Sequence, residues 1–258
     1  MAEKLKELFS YRDFFVTLLY HQLHQRYQGS FLGFFWTLLH PLLTFASFSL
    51  VFSLLNRWDL RDYGVYFFSG YIAWTFFANS CTSAADSIIG NRVFVTRVYS
   101  PKAIFPLMTV AINLVDMAAG LILLFVLKAI LGHPFDQSLL ILPLSFLLLI
   151  AFTTGVSLIC AEWNVFFRDF RQLLGSFLFI WFFFTPIVWK ADAMPLEARR
   201  FIWYNPAAHF LSLFQNPLWA GKMPPPSSLV LTSITAVFVL VFGLYRFFRS
   251  EKKFFYYM

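Results

Sequence analysis

Asp116 is out of place by type: it lies inside a long apolar stretch, Ile104–Leu131. A carboxylate at such depth is a functional candidate by default, because burying a charge in hydrocarbon is costly. Three readings stay open for it: a proton relay, a bond between helices, or a water-facing group lining a path. With one acid and no basic partner evident beside it, a structural bond comes before proton coupling. Other chemistry is sparse. His21 and His24 stand three apart, but two ligands without a Cys or carboxylate cluster do not make a metal site. Gly221-Lys222 is the only Gly-Lys pair, and it lacks both the upstream Gly and the following Ser or Thr of a phosphate-cradling loop. H-E-x-x-H and G-x-S-x-G do not occur. The chain therefore carries no catalytic residues and no nucleotide, metal or other cofactor site of its own.

The elements that must position these residues follow from composition. Of 258 residues, 59% are hydrophobic and 13% charged, about half the charge of a soluble domain. Such a chain cannot coat a water-soluble globule, and a bilayer is the natural solvent. Cys81 and Cys160 lie in or beside apolar stretches, which argues against a disulfide framework. Aromatic residues reach 21%, with 36 Phe, an excess that calls for its own explanation.

A membrane span needs about 20 apolar residues. Six are expected, over about 31–55, 65–85, 104–131, 139–161, 173–189 and 229–248. The fifth is short and contains Pro186, so one simple helix is not assured there. With the N-terminus inside, 13 Lys and Arg face inward and 7 outward (Arg57, Arg61, Lys128, Lys190, Arg199, Arg200 and Lys222). That bias puts both termini on the cytoplasmic side. It also accounts for the net charge of +7 without nucleic acid as a partner.

The segments between spans have characters of their own. Residues 3–28 predict an amphipathic helix in the interface plane, with Leu8, Phe15, Val16, Leu19, Tyr20, Leu23 and Tyr27 on one face. Asn91–Tyr99 and Val165–Arg171 are short, amphipathic and inward-facing. In the outer connection, Pro195 starts one short helix, Asn205-Pro206 breaks it, and a second over about 207–220 ends at Gly221. Both are too short to span, and two half-inserted helices are expected at the outer leaflet. Pro224–Pro226 makes a stiff hinge before the last span.

The run Arg26-Tyr27-x-x-Ser30-x-Leu32-Gly33-x-x-Trp36-x-x-Leu39-x-Pro41-Leu42 resembles the start of the membrane subunit of type-2 ABC exporters for polysaccharides. Phe68-Ser69-Gly70 with Trp74, Asn91 before Pro101-Lys102, Arg168-Asp169 and Asn205-Pro206 follow in the order that family has them. The resemblance implies an all-α integral membrane fold over 1–258: an interface helix (1–30), spans one to five (31–189), an outer gate hairpin of two re-entrant helices (190–228), then the last span and tail (229–258). It implies a homodimer in the bacterial inner membrane, paired with separate ATPase subunits that hold ATP and Mg²⁺. The cargo would be an O-antigen-like, lipid-linked polysaccharide. By position, the coupling residues would be Asn91, Arg92, Phe94 and Arg97 in the first inner loop, and Phe166, Arg168 and Asp169 in the second.

A sugar polymer needs a conduit that is neither bare aliphatic nor tightly binding. Aromatic faces stack on sugar C–H faces with little directional bonding. Phe35, Trp36, Trp181, Phe182, Phe183, Trp203 and Tyr204 are the expected conduit or mouth residues, and Arg26 is a candidate contact for a carrier phosphate. An exporter of lipid or drug would share the architecture. A proton-coupled secondary transporter would depend on Asp116.

Overall fold

The computed structural model describes residues 2–56, 59–97 and 99–257; Arg57, Val98 and the side chain of Tyr27 fall outside the described set. Among the described residues every regular element is helical. In chain order they are α1 (Ala2–Ser10), α2 (Arg12–Tyr27), α3 (Trp36–Asn56), α4 (Leu60–Gly90), α5 (Arg92–Arg97), α6 (Ile104–Ile130), α7 (Leu142–Phe166), α8 (Phe170–Phe183), α9 (Leu196–Trp203), α10 (Pro206–Gln215), α11 (Pro226–Ser250) and α12 (Phe254–Tyr257). Among the described residues, three helical stretches are long and apolar enough to cross a membrane: Ile104–Ile130, Gln137–Phe166 and Pro226–Tyr257.

The longest single α-helix is not among those three. α4 has 31 residues, about 46 Å at the usual helical rise, but Ser, Thr, Asn and Gly interrupt it. Its placement explains its composition. α3, α6, α7, α8 and α10 all pack on it, and Tyr63 through Gly70 are buried without interruption. A helix surrounded by other helices can carry polar groups that lipid would not accept.

Aromatic rings join α4 to its neighbours. Phe48 of α3 stacks on Phe67 at 4.8 Å. Phe77 stacks on Phe152 of α7 at 5.4 Å, and Phe152 on Phe210 of α10 at 4.5 Å. Much of the Phe surplus is thus helix-to-helix packing inside one chain.

Small residues serve α7 and α11, which lie backbone to backbone. A methyl at Gly155 would run into the main chain at Val239, and one at Gly243 into the main chain at Gly155. Close approach of this kind is what small residues provide in membrane helix pairs.

Two predicted elements come out differently. The N-terminal segment is two helices broken at Tyr11, and its expected single face divides. Leu8, Phe15, Leu19 and Leu23 are half-buried, while Val16 and Tyr20 are exposed. The fifth apolar stretch forms a helix only to Phe183; its 14 residues reach about 21 Å. Beyond it the chain turns through 184–189, and α4 and α10 supply the hydrogen bonds a helix would have made. Tyr63 Oη donates to Val188 O at 2.8 Å, Tyr66 Oη to Trp189 O at 2.7 Å, and Gln215 Nε2 to Pro186 O at 2.9 Å. Irregular backbone at membrane depth is tolerated only with such partners.

Gly155→Val and Gly243→Val are each expected to destabilise the protein by about 1–3 kcal/mol by overpacking. Thermal melting in detergent measures this. Gly175→Ala, at a position where a methyl meets open space, is expected to change little.

Candidate functional site

Two cavities and one surface collect the chemistry. The first is a cleft of about 600 Å³ bounded by α3, α4, α6 and the end of α2. Arg26 Nη1 donates to Asp116 Oδ2 at 2.7 Å across it. The basic partner that sequence reading did not find comes from the end of the N-terminal helix, 90 residues away in the chain. Asp116 is therefore both an interhelical tie and a cleft-lining group. Asn79, Asn113, Thr37, His40 and Trp36 share the cleft. Gly120 of α6 meets the Ile72 side chain of α4 closely at its wall, and Gly33, with a positive φ of 47°, lies on the connection from α2 to α3.

The second cavity, about 720 Å³, lies under the hairpin of α9 and α10. Trp181, Phe183 and Tyr204 line it together with Phe184, Phe201 and Asn205. Asn205 organises the site: its Oδ1 accepts from Ala207 N, capping α10, and from Trp181 Nε1 at 3.0 Å, while its Nδ2 donates to Thr185 Oγ1 at 3.0 Å. The hairpin is tied to α4 by charge. Lys190 Nζ bonds Asp62 Oδ2 at 2.6 Å and lies 4.5 Å from the centre of the Trp219 ring, whose Nε1 donates to Asp62 Oδ1 at 2.6 Å. Nearby, Lys128 is fully buried and donates to Leu218 O at 2.8 Å, 5.5 Å from the centre of the Phe135 ring. Gly221, with φ of 62°, closes the hairpin's second helical segment in the left-handed region and lies against Asp136, so a side chain there is excluded on two counts.

The third feature is the face formed by α5, the end of α7 and the C-terminal tail. One apolar cluster gathers Ile88 of α4, Val95 of α5, Val165 of α7, Phe247 of α11 and Phe254 of α12. Phe166 of α7 stands edge-on to Tyr257 at 4.9 Å. Glu162, almost fully buried, holds Arg246 through two bonds of 3.0 and 3.2 Å and accepts from Ser250 Oγ at 2.6 Å. Glu251 accepts from Lys102 N at 2.9 Å and faces Lys4 at 3.3 Å, tying tail, loop and N-terminal helix together.

A family profile described as "ABC-2 type transporter" matches residues 13–219 of this chain. The chain belongs to the ABC-2 type transporter family. It is 28% identical to "O-antigen export system permease protein RfbA" of Myxococcus xanthus over 255 residues, 98% of each chain. It is 27% identical to a protein of the same name from Klebsiella pneumoniae over 256 residues, again 98% of each.

Within this ABC-2 permease fold, the expected site residues separate. Phe35 and Trp36 stand exposed at the start of α3, and Trp36 lines the cleft under α2. Trp181 and Phe182 turn inward against Trp74, at 5.6 and 6.0 Å. Phe183, Trp203 and Tyr204 are exposed, and Trp203 is edge-on to His209 at 5.1 Å. Asn91 ends α4, with Nδ2 donating to Ser87 O at 2.8 Å, and leads directly into α5. Arg92, Phe94 and Arg97 are exposed on α5 while Val95 anchors it. Arg168 and Asp169 line an open groove at the start of α8, where Arg171 pairs with Asp86 at 3.1 Å. Sequence reading missed Asp62, Glu162 and Glu251. Their signal was charge beside a span end, without an indication of the partner.

Asp62, in the first turn of α4 and ahead of the expected span 65–85, has its carboxyl held below its usual range. Burial pushes it up, but the hydrogen bonds from Lys190 and Trp219 outweigh that. A depressed carboxylate stabilises the fold above its unfolded pKa and loses that contribution as pH falls through the folded value. Asp62→Asn is expected to lower the melting midpoint near pH 7 by no more than about 2 °C, because a carboxylate 42% exposed is partly screened by solvent. That deficit should hold from about pH 8 to 5 and shrink below about pH 4. A deficit that grows on acidification contradicts this account of the tie.

Proposed function

We propose that this chain is the membrane subunit of an ATP-driven exporter that moves a lipid-linked, O-antigen-like polysaccharide across the bacterial inner membrane. The observation that carries the reading is full-length similarity to two proteins named as O-antigen export permeases, within an ABC-2 family match. In this reading the chain has no enzymatic activity. ATP and Mg²⁺ bind a separate subunit at the inner face, and two copies of this chain make the conduit.

Six crossings per copy are proposed: α3, α4, α6, α7, α8 with the turn after it, and α11. Both termini are cytoplasmic. α9 and α10 form the outer gate and dip into the outer leaflet. Support for this comes from the buried carbonyls of 184–189 and their side-chain donors, because that chain segment is fit for membrane depth only in its present packing. α5 and the α7–α8 turn are the proposed contacts with the ATPase. They share one apolar cluster with α11 and α12, so a push on either is resisted by the same core.

The aromatic conduit residues reduce to those that present rings outward: Phe35, Trp36, Phe183, Trp203 and Tyr204. Trp181 and Phe182 support them from behind. Each ring contact contributes on the order of 0.5–1.5 kcal/mol, enough to hold a sugar chain loosely and let it slide.

Deleting the gene is expected to remove surface polysaccharide, and complementation to restore it. Phe183→Ala with Tyr204→Ala is expected to lower export about tenfold at normal protein level, from roughly 1.4 kcal/mol of lost contact. Arg92→Glu with Arg97→Glu is expected to reduce co-purification of the ATPase. Surface polysaccharide unchanged by the deletion overturns the reading.

A further inference from the structure

A helix of six residues such as α5 does not persist on its own in water. Val95 is its buried residue, while Arg92, Val93, Phe94, Thr96 and Arg97 are exposed. Its start is fixed to α4: Val95 N donates to Asn91 O at 3.0 Å, and Asn91 ends that helix. Its far end leads into the stretch 99–103 that returns the chain to α6. Unless that stretch is held, a load on α5 bends the connection and does not reach α6.

The C-terminal tail holds it. Glu251 and Phe254, about one helical turn apart, are buried, while Lys252, Lys253 and Phe255 are exposed. Glu251 is only 7% exposed, and its two carboxylate oxygens have different partners. Oε1 accepts from the main-chain N–H of Lys102 at 2.9 Å, and Oε2 faces Lys4 Nζ of α1 at 3.3 Å. Lys102 Nζ in turn donates to Glu251 O at 3.0 Å and lies 6.0 Å from the centre of the Phe254 ring. Phe254 belongs to the apolar cluster that also holds Val95 and Ala103. The tail is itself anchored, because Ser250 Oγ donates to buried Glu162 of α7 at 2.6 Å. A bond from an N–H to a carboxylate is stronger than one to a neutral acceptor, and here it grips the backbone of the connection. The Lys4 pair is more exposed at its cation, where solvent weakens it.

We propose that Glu251 is a positioning residue for the ATPase contact: its Oε1 clamps the exit of α5 at Lys102 N, so that force on α5 passes into α6 and the tail as well as into α4. The assignment rests on the export reading above. It adds a residue outside both proposed ATPase contacts that sets how much of the work of ATP hydrolysis reaches the conduit.

The test compares variants in the intact transporter. Surface polysaccharide is measured in cells and divided by the amount of assembled permease–ATPase complex, and ATP turnover is measured on the same purified complex. Glu251→Ala is expected to lower polysaccharide per complex about threefold to tenfold, the population change from losing one hydrogen bond to a charged group. Its ATP turnover is expected to stay within about twofold of wild type. A merely structural role lowers the amount of complex and does not separate these two readouts. Glu251→Gln keeps the acceptor for Lys102 N and gives up the charge, so export per complex is expected to stay within about twofold of wild type, as it is for Lys4→Gln. If the Ala variant does not assemble, Glu251→Met fills the space without the acceptor and carries the same expectation. Unchanged export per complex in Glu251→Ala or Glu251→Met overturns the assignment. So does a parallel loss of export and ATP turnover, or a Glu251→Gln variant as poor as Glu251→Ala. If deleting the gene abolishes surface polysaccharide but the Ala or Met variant exports normally, this assignment alone is wrong. If the deletion leaves the polysaccharide intact, the export reading fails as well.

Discussion

Hydrocarbon offers no hydrogen bonds, and that constraint decides where each part of this chain lies. α4 is long enough to cross and too polar to face lipid on all sides, so it takes the centre, with five helices against it. The turn after α8 leaves carbonyls without helical partners, and it lies where Tyr63, Tyr66 and Gln215 reach them. Arg26 and Asp116 meet each other in a cleft. In each case a polar group that lipid would reject is met by another part of the same chain.

The same helix connects the two ends of the molecule. Near its N-terminal end α4 carries Asp62, which holds Lys190 and Trp219 of the hairpin. At its C-terminal end it carries Asn91, which leads into α5. One continuous helix therefore joins α5 to the hairpin. The face formed by α5, the end of α7 and the tail is similarly joined. Buried Glu162 fixes α11 to α7, and Glu251 fixes the tail to Lys102 and Lys4. Breaking one partner of a buried pair leaves an uncompensated charge, so these ties hold that cluster in one arrangement.

Much of this was legible in the sequence, because hydropathy and helix-breaking residues are local signals. The third, fourth and sixth apolar stretches fall on α6, α7 and α11, and the outer helices break at Asn205-Pro206 and end at Gly221 as their residues predict. What was not legible depends on distance along the chain. Arg26 and Asp116 are 90 residues apart and Glu162 and Arg246 are 84 apart, and no spacing rule links them. The end of α8 at Phe183 was only hinted at by Pro186, since the bonds that stabilise the turn come from α4 and α10. The seven aromatic residues assigned together to a conduit could not be sorted by type. Burial against Trp74 distinguishes Trp181 and Phe182 from the exposed rings.

The central claim is that polar groups within the spans face a watery cleft and not lipid. Replacing buried Cys81 and Cys160 with Ala allows single cysteines to be read by a membrane-impermeant thiol reagent in inside-out vesicles. Asn79→Cys, in the cleft, is expected to label. Ile122→Cys, on the exposed apolar side of α6, is expected to stay unlabelled until detergent is added. Labelling at 122 with none at 79 would contradict the account.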